Sequence, residues 1–458
     1  MSTATRRLAL WVACAAQLMV VLDISVVNIA LPSIRADLSL GGVAATWVAL
    51  AYGLGFAGVL LVGARLADVL GTARVLGWGV ALFTLASAVG GLATEGWTLI
   101  GARVVQGLSA AAVSPATFTL LTTAYPEGSA RVRAIAVWTA VGLAGGGLGT
   151  ITGGVLTDLV SWRAVLLVNL PIGAAVALGA LALRRWTPDD RRGGRISLAG
   201  AVLATGGFTC ATYALSVAGT PGSAAAFTAS GAASVLLFAL LAVEQRRTPH
   251  RLVPAALLRD RLIVRGNLAT ALTAVCFQAG LWYFLTFRMQ EQLGYTPLQA
   301  GLAFLPLTLG MLAVNTWATP RLMRRVPARA LVCAGAAVAG LGLIWQALAD
   351  SGPFALTILA PSVVVGVGGG LLNTPLATIV TTGVPAEQAG AASGLMNTGK
   401  QFGGAVGLAA ATAVAAGADT DRAAFLLMAG ALGAVAVLAP RIRRRRAEPV
   451  PVSGAPGR

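Results

Sequence analysis

A chain of 458 residues that is 57% hydrophobic and only 11% charged, with a mean hydropathy of +0.81, excludes a soluble domain of ordinary composition. The net charge of +17 does not point to nucleic acid, because such a partner needs a basic face on a folded domain, whereas these arginines fall in short breaks between apolar runs. The composition is that of an all-α polytopic membrane protein whose basic residues set its topology.

Several chemistries are excluded early. Cys14, Cys210, Cys276 and Cys333 stand singly in apolar segments with no CxxC pair, against a disulfide framework or a zinc site. The lone His250 lies in an arginine-rich loop, which leaves metal or imidazole catalysis almost nothing to work with. No nucleophile with a base and no cofactor motif appears, so the chain reads as a non-enzyme without a cofactor. Arg6 and Arg7 followed by LALWVACAAQLMVVL imitate a signal peptide, but the apolar run passes Asp23 to Pro32 without a small-residue cleavage site. It is the first membrane helix.

Crossing about 30 Å of hydrocarbon takes about 20 residues. Fourteen segments meet that length, at 8–30, 44–64, 75–93, 98–120, 133–156, 164–183, 197–218, 224–243, 266–288, 298–318, 330–348, 354–379, 389–415 and 422–439. With both termini cytoplasmic, most of the 33 basic residues fall on inner loops and tails. Arg35, Arg163, Arg288 and Arg422 fall on outer loops, and Arg103 and Lys400 lie within the membrane. Segments seven and eight have low polar content and a short linker, and the long inner break 244–265 follows them. Setting that pair aside leaves six helices on each side, an arrangement common among secondary transporters and also open to a channel or an embedded enzyme. The domains read as 1–185, a six-helix bundle; 186–245, two inserted helices; 246–440, a second six-helix bundle; and 441–458, a basic disordered cytoplasmic tail beginning with RIRRRR, which suits anionic lipid.

Arg103, in LIGARVVQGLSAAAVSP, cannot shed its charge, and hydrocarbon penalises it by about 2.5 to well over 10 kcal/mol. It needs a protein interior with a partner, or a headgroup reached by snorkelling. Asp23 is the carboxylate placed deep in a helix. Counting about 1.5 Å per residue puts it roughly 10 Å below the outer surface, and Arg103, on a helix running the other way, lies at similar depth. The two can pair. Desolvation favours the neutral acid and the guanidinium favours the carboxylate, so such an aspartate is poised to load and release a proton; a fixed structural ion pair is the alternative. Gln106 is one turn from Arg103 on the same face, and Gln17 and Asn28 flank Asp23, as cavity lining or as helix-to-helix hydrogen bonds. Lys400, the chain's only lysine, sits near mid-membrane, where it could attract an anionic group, repel cations, join proton traffic or reach water. Gly145, Gly149 and Gly153, joined by Gly154, share the fifth segment, and Gly399, Gly403 and Gly407 repeat the spacing in the thirteenth. Small residues so spaced let helices approach closely in lipid.

These residues bring the chain close to a known family. Leu22 to Pro32, LDISVVNIALP, resembles the first-helix signature of the major facilitator superfamily's fourteen-helix drug:proton antiporters, and the resemblance runs nearly the whole chain. Arg103, Gln106, Gly107 and Pro115 resemble its RxxQG...P fourth helix, whose arginine the family uses in proton coupling. Trp162, Arg163, Asn169, Pro171 and Gly173 match its WR...NxPxG, and Gly294, Tyr295, Pro297, Gly301 and Pro306 its GYxPxxxGxxxxP; Ala389 to Gly407 match a late stretch. The loop after helix two keeps the gating residues Leu66, Asp68, Gly71 and Arg74 but has Ala64 for the first glycine and Thr72 and Ala73 for a basic pair. Helix five departs too, with Thr150 after Gly149 where the antiporter motif has proline.

The resemblance implies a bacterial inner-membrane exporter, a monomer in the lipid bilayer with no nucleic-acid partner, that uses the proton gradient to drive a small amphipathic drug or antibiotic outward by alternating access. Asp23 would carry the proton with Arg103 as its partner, and Gln17, Asn28, Gln106 and Lys400 would be cavity candidates. A proton-coupled metabolite importer or facilitator, or a membrane sensor that has lost transport, are the alternative readings.

Overall fold

A computed structural model of the chain describes residues 2–184, 198–218, 220, 222–248, 255–349, 352–382, 384, 386–418 and 420–442. His250, the junction at 185–186 and the tail from 443 lie outside the described residues. Among the described residues fourteen helices are long and apolar enough to cross a membrane, as the sequence leads one to expect: α1 (Thr3–Asp37), α2 (Gly42–Leu70), α3 (Thr72–Gly91), α4 (Gly96–Ala124), α5 (Ser129–Leu159), α6 (Trp162–Leu183), α7 (Leu198–Val217), α8 (Ala224–Arg247), α9 (Arg261–Gln292), α10 (Pro297–Leu322), α11 (Ala328–Leu348), α12 (Ala355–Thr381), α13 (Ala386–Ala418) and α14 (Arg422–Arg441). Helices satisfy their own backbone polar groups, the condition for spanning hydrocarbon. The chain is a multi-pass membrane protein.

Local chemistry sets the ends. Ser2, Ser161 and Asp260 cap α1, α6 and α9 through side-chain oxygens that accept backbone N–H bonds. Thr296 and Gln299 form a capping box at the start of α10, with Pro297 in its first turn. Gly71 and Gly294, at φ of 90° and 69°, make the reversals into α3 and α10 that a Cβ would strain.

The first six helices pack among themselves, α1 on α5, α4 and α6, α2 on α4, and α3 on α4 and α6; likewise α9 packs on α13 and α14, α10 on α12, and α11 on α12 and α14. The two sets meet where α1 and α5 touch α9 and α10, and where α2 touches α13. α7 lies against both α2 and α13, while α8 packs mainly on α7 and is otherwise exposed. Phe208 of α7 stacks on Phe402 of α13 at 3.7 Å between ring centres.

Glycines let these crossings close. A Cβ on Gly107 would stand 2.2 Å from the Tyr52 carbonyl oxygen, on Gly153 2.8 Å from Val26 Cα, and on Gly301 2.4 Å from the Thr150 carbonyl. Gly145 and Gly149 face Val21 and Ser25 of α1, whereas Gly154 faces Pro297 and Leu298 of α10, so α5 presents two glycine faces to two partners. In α13, Gly403 and Gly407 pack on Ala271 and Val275 of α9, but nothing lies within 4 Å of a Cβ built on Gly399, which drops out of the expected contact stripe. Four stretches, Val275–Gly280, Arg288–Gln292, Val314–Ala318 and Ala355–Leu359, are π-helical. Each widened turn re-aims the side chains it carries.

Gly107→Val should lower stability by about 1 to 3 kcal/mol through overpacking at the α2–α4 crossing. Gly101→Ala, where a Cβ meets nothing within 4 Å, should leave the thermal unfolding midpoint in detergent unchanged.

Candidate functional site

Asp23 of α1, at 0% exposure, takes hydrogen bonds from α4 and α6. Its Oδ2 accepts from Arg103 Nη1, and its Oδ1 accepts from Gln106 Nε2 at 3.0 Å and Asn169 Nδ2 at 2.8 Å. Arg103, 2% exposed, also donates to Gln106 Oε1 at 2.8 Å and the Val48 carbonyl at 3.4 Å. Its guanidinium lies 4.6 Å from the centre of the Tyr52 ring, where the π face adds cation stabilisation. Ser87 Oγ accepts from Gln106 Nε2 and Asn169 Nδ2. The arginine faces the protein and not a headgroup, which removes the snorkelling alternative. A desolvated pair survives only when further hydrogen bonds support it, and this network supplies four of them, from Gln106 and Asn169 to Asp23 and from Arg103 to Gln106 and Val48.

Asn169, Ser87 and Tyr52 join the site without having been singled out as site residues. Ser87 and Tyr52 gave no signal in the sequence beyond being polar groups in apolar segments. Asn169 stood inside a matched motif, and its spacing from Trp162 has a physical cause: Trp162 Nε1 and Arg163 Nη1 both donate to Asp37 at the end of α1, at 3.0 and 2.8 Å. The start of α6 is thereby pinned to α1, which carries Asp23.

The four cavity candidates divide. Gln106 is in the network. Asn28 lines a cavity of about 30 Å³, room for about one water, together with Tyr52, Arg103, Gln278 and Gln401. That cavity lies where the two sets of helices meet, so Arg103 touches the seam. Gln17 does not reach it; it packs beside Gly142 of α5 with its Oε1 unbonded. Lys400 is half-buried and donates to Asn373 Oδ1 of α12 at 3.0 Å, away from Asp23. Of the residues expected in the loop after helix two, Leu66 lies on α2 and Arg74 on α3, where both line a separate cavity of about 470 Å³ with Trp78 and Leu108, and Gly71 makes the turn. The Asp68 side chain is outside the described set.

Polar contacts also join the two helix sets at one end. Arg35 Nη1 donates to both carboxylate oxygens of Glu291 at 3.3 Å, Gln290 Nε2 donates to the Ile29 carbonyl at 2.8 Å, and Thr46 Oγ1 and Tyr283 OH lie 3.3 Å apart. Glu291 and Gln290 ride on the π-helical end of α9. The same segment corrects the placement of Arg288. It is no loop residue but a buried one, 4% exposed, held by Asp421 through Nε and Nη2 at 2.7 and 2.8 Å and stacked 4.7 Å from the Phe425 ring centre. Arg35, Arg163 and Arg422 likewise belong to helix ends. Asp421→Ala, which strands the buried guanidinium, should cost about 3 kcal/mol of stability, and the paired Arg288→Met, Asp421→Leu variant should recover most of it in thermal unfolding.

Comparison with known proteins follows this geometry. The family model described as Major Facilitator Superfamily matches residues 13–185 and 173–408. The chain is 46% identical over 453 residues to the cephamycin export protein CmcT of Amycolatopsis lactamdurans, covering 96% of this chain and 93% of that protein. It is 37% identical to the puromycin resistance protein pur8 of Streptomyces alboniger, covering 88% and 80%. In fold it is similar to the crystal structure of the peptide transporter POT in complex with sulfate, with a TM-score of 0.72 at 15% identity over 95% of this chain and 94% of that one. A family match over most of the sequence and relatives aligned nearly end to end make this chain a member of the Major Facilitator Superfamily.

Proposed function

We propose that this chain is a proton-coupled exporter of small amphipathic antibiotics, working by alternating access in the bacterial inner membrane with both termini cytoplasmic. The export and resistance roles in the names of its relatives support the direction and the cargo class. The observation that carries the coupling is the bond of Asp23 to Arg103, with Arg103 also lining the seam cavity.

The chemistry follows from counting acceptors. As a carboxylate, Asp23 takes hydrogen bonds from Arg103, Gln106 and Asn169. Protonation converts an acceptor oxygen to a donor and removes the charge opposite Arg103. The guanidinium keeps its charge and has to find another acceptor. Gln106 Oε1 and the Val48 carbonyl are already engaged, so the nearest unfilled direction is the seam with Asn28, Gln278 and Gln401. A proton arriving at Asp23 thus changes what faces the cargo, and cargo that prefers one arrangement shifts the balance between them.

In this reading the end closed by Arg35, Glu291 and Gln290 is the periplasmic end, and the conformation is open toward the cytoplasm. Residues 1–185 and 246–440 move as two bundles, and the pair within 186–245 is carried between them. The protein works as a monomer, without a cofactor, and the proton gradient supplies the energy.

In proteoliposomes with an imposed pH gradient, Asp23→Asn should reduce accumulation of a cephem antibiotic or dye to the level of empty vesicles while leaving its binding intact. Gln106→Leu, which removes hydrogen bonds to both partners of the ion pair, should slow transport about tenfold. Gradient-driven transport that survives Asp23→Asn would overturn the assignment, and binding without flux in the wild type would favour a sensor.

A further inference from the structure

Lys400 is the chain's only lysine, and the network that neutralises Arg103 leaves it out. Among the described residues no carboxylate pairs with it, and its hydrogen-bond partner is the amide oxygen of Asn373. An ammonium offers three donors, so two stay uncommitted, and a neutral amide balances no charge. By contrast, both buried arginines, Arg103 and Arg288, have a carboxylate each. Within a membrane span a cation without a counter-charge is costly enough that a fixed structural role for Lys400 is a poor account of it.

Its surroundings are shaped for a ligand. Asn397, Lys400 and Gln401 lie at i, i+3 and i+4, one face of α13, and Asn397 is exposed. Gln401 lines the seam cavity, and its Oε1 accepts from Gln278 Nε2 at 3.0 Å, which leaves its amide N–H group for another acceptor. Asn315 and Thr374 bond to each other beside Asn373, at 2.9 Å. Gly399 leaves open space next to the lysine, and Gly404 lets Gln278 approach closely. The result is a strip of donors around one positive charge, on the opposite half from Asp23, with Gln401 at the boundary. The geometry points to an anion receptor: we infer that Lys400, with Asn397 and Gln401, binds the carboxylate of an anionic amphipathic cargo, whose apolar body lies against the seam.

The inference rests on the export reading for its cargo and is tested separately from it. The probes are benzylpenicillin, cephalothin and decanoate, each beside its uncharged methyl ester, with binding measured to the full-length protein in nanodiscs. The wild type should bind at least one carboxylate about tenfold more tightly than its ester, Lys400→Gln should erase that preference while keeping ester affinity, and Lys400→Arg should retain it. Retained ester binding shows the variant to be folded. Wild-type protein that prefers no carboxylate, or Lys400→Gln that keeps the preference or loses ester and acid alike, overturns the proposal. In proteoliposomes the two readings separate: carboxylate preference without gradient-driven flux retires the exporter and leaves the receptor, whereas equal export of acids and esters retires the receptor and leaves the exporter.

Discussion

The buried pair between Asp23 and Arg103 is the constraint around which the first half of the molecule is arranged. Two opposite charges, 0% and 2% exposed, lose so much hydration that they persist only with further hydrogen bonds to support them. Gln106, Asn169 and the Val48 carbonyl bond the pair from α4, α6 and α2, and Ser87 of α3 accepts from Gln106 and Asn169 in turn. Four neighbouring helices are therefore fixed around α1 in rotation as well as in position. Close approach makes this possible. The Gly107 backbone lies against the Tyr52 carbonyl, which brings the Tyr52 ring under the guanidinium and its hydroxyl to the Val20 carbonyl.

The second half uses different means for a similar end. Its buried cation, Arg288, is held at the membrane edge by Asp421, and its helices carry the π-helical turns. One such turn holds Gln278 where it meets Gln401, and another holds Gln290 and Glu291 where they meet α1. Three of the polar groups that face the first half thus ride on locally widened helix, a feature often found at functional sites.

Much of this was legible in the sequence because the bilayer is a severe solvent. Its thickness fixes segment length, so all fourteen spans follow from hydropathy, and its low polarity makes any deep charge conspicuous, so Asp23 and Arg103 stand out. What was illegible depends on helix rotation and turn type. Gln17 and Asn28 flank Asp23 equally in sequence, yet one faces α5 and the other the seam. Gly399 keeps the spacing of Gly403 and Gly407 but meets nothing. Arg288 looked like a loop residue because the apolar run fades there, and only the π-helical continuation of α9 with Asp421 beneath it makes the position an interior one. Ser87 and Asn169 are ordinary polar residues until the tertiary fold aims them at one carboxylate.

The position of α7 has a mechanical consequence. It touches α2 through Thr205 beside Gly58 and through Tyr213 against Trp47, and α13 through the Phe208–Phe402 stack. In the alternating access proposed for this chain, any separation of α2 from α13 would break one of these grips while the other holds, so α7 would act as a lateral bearing that sets where the halves pivot and how far they travel before aromatic stacking is lost.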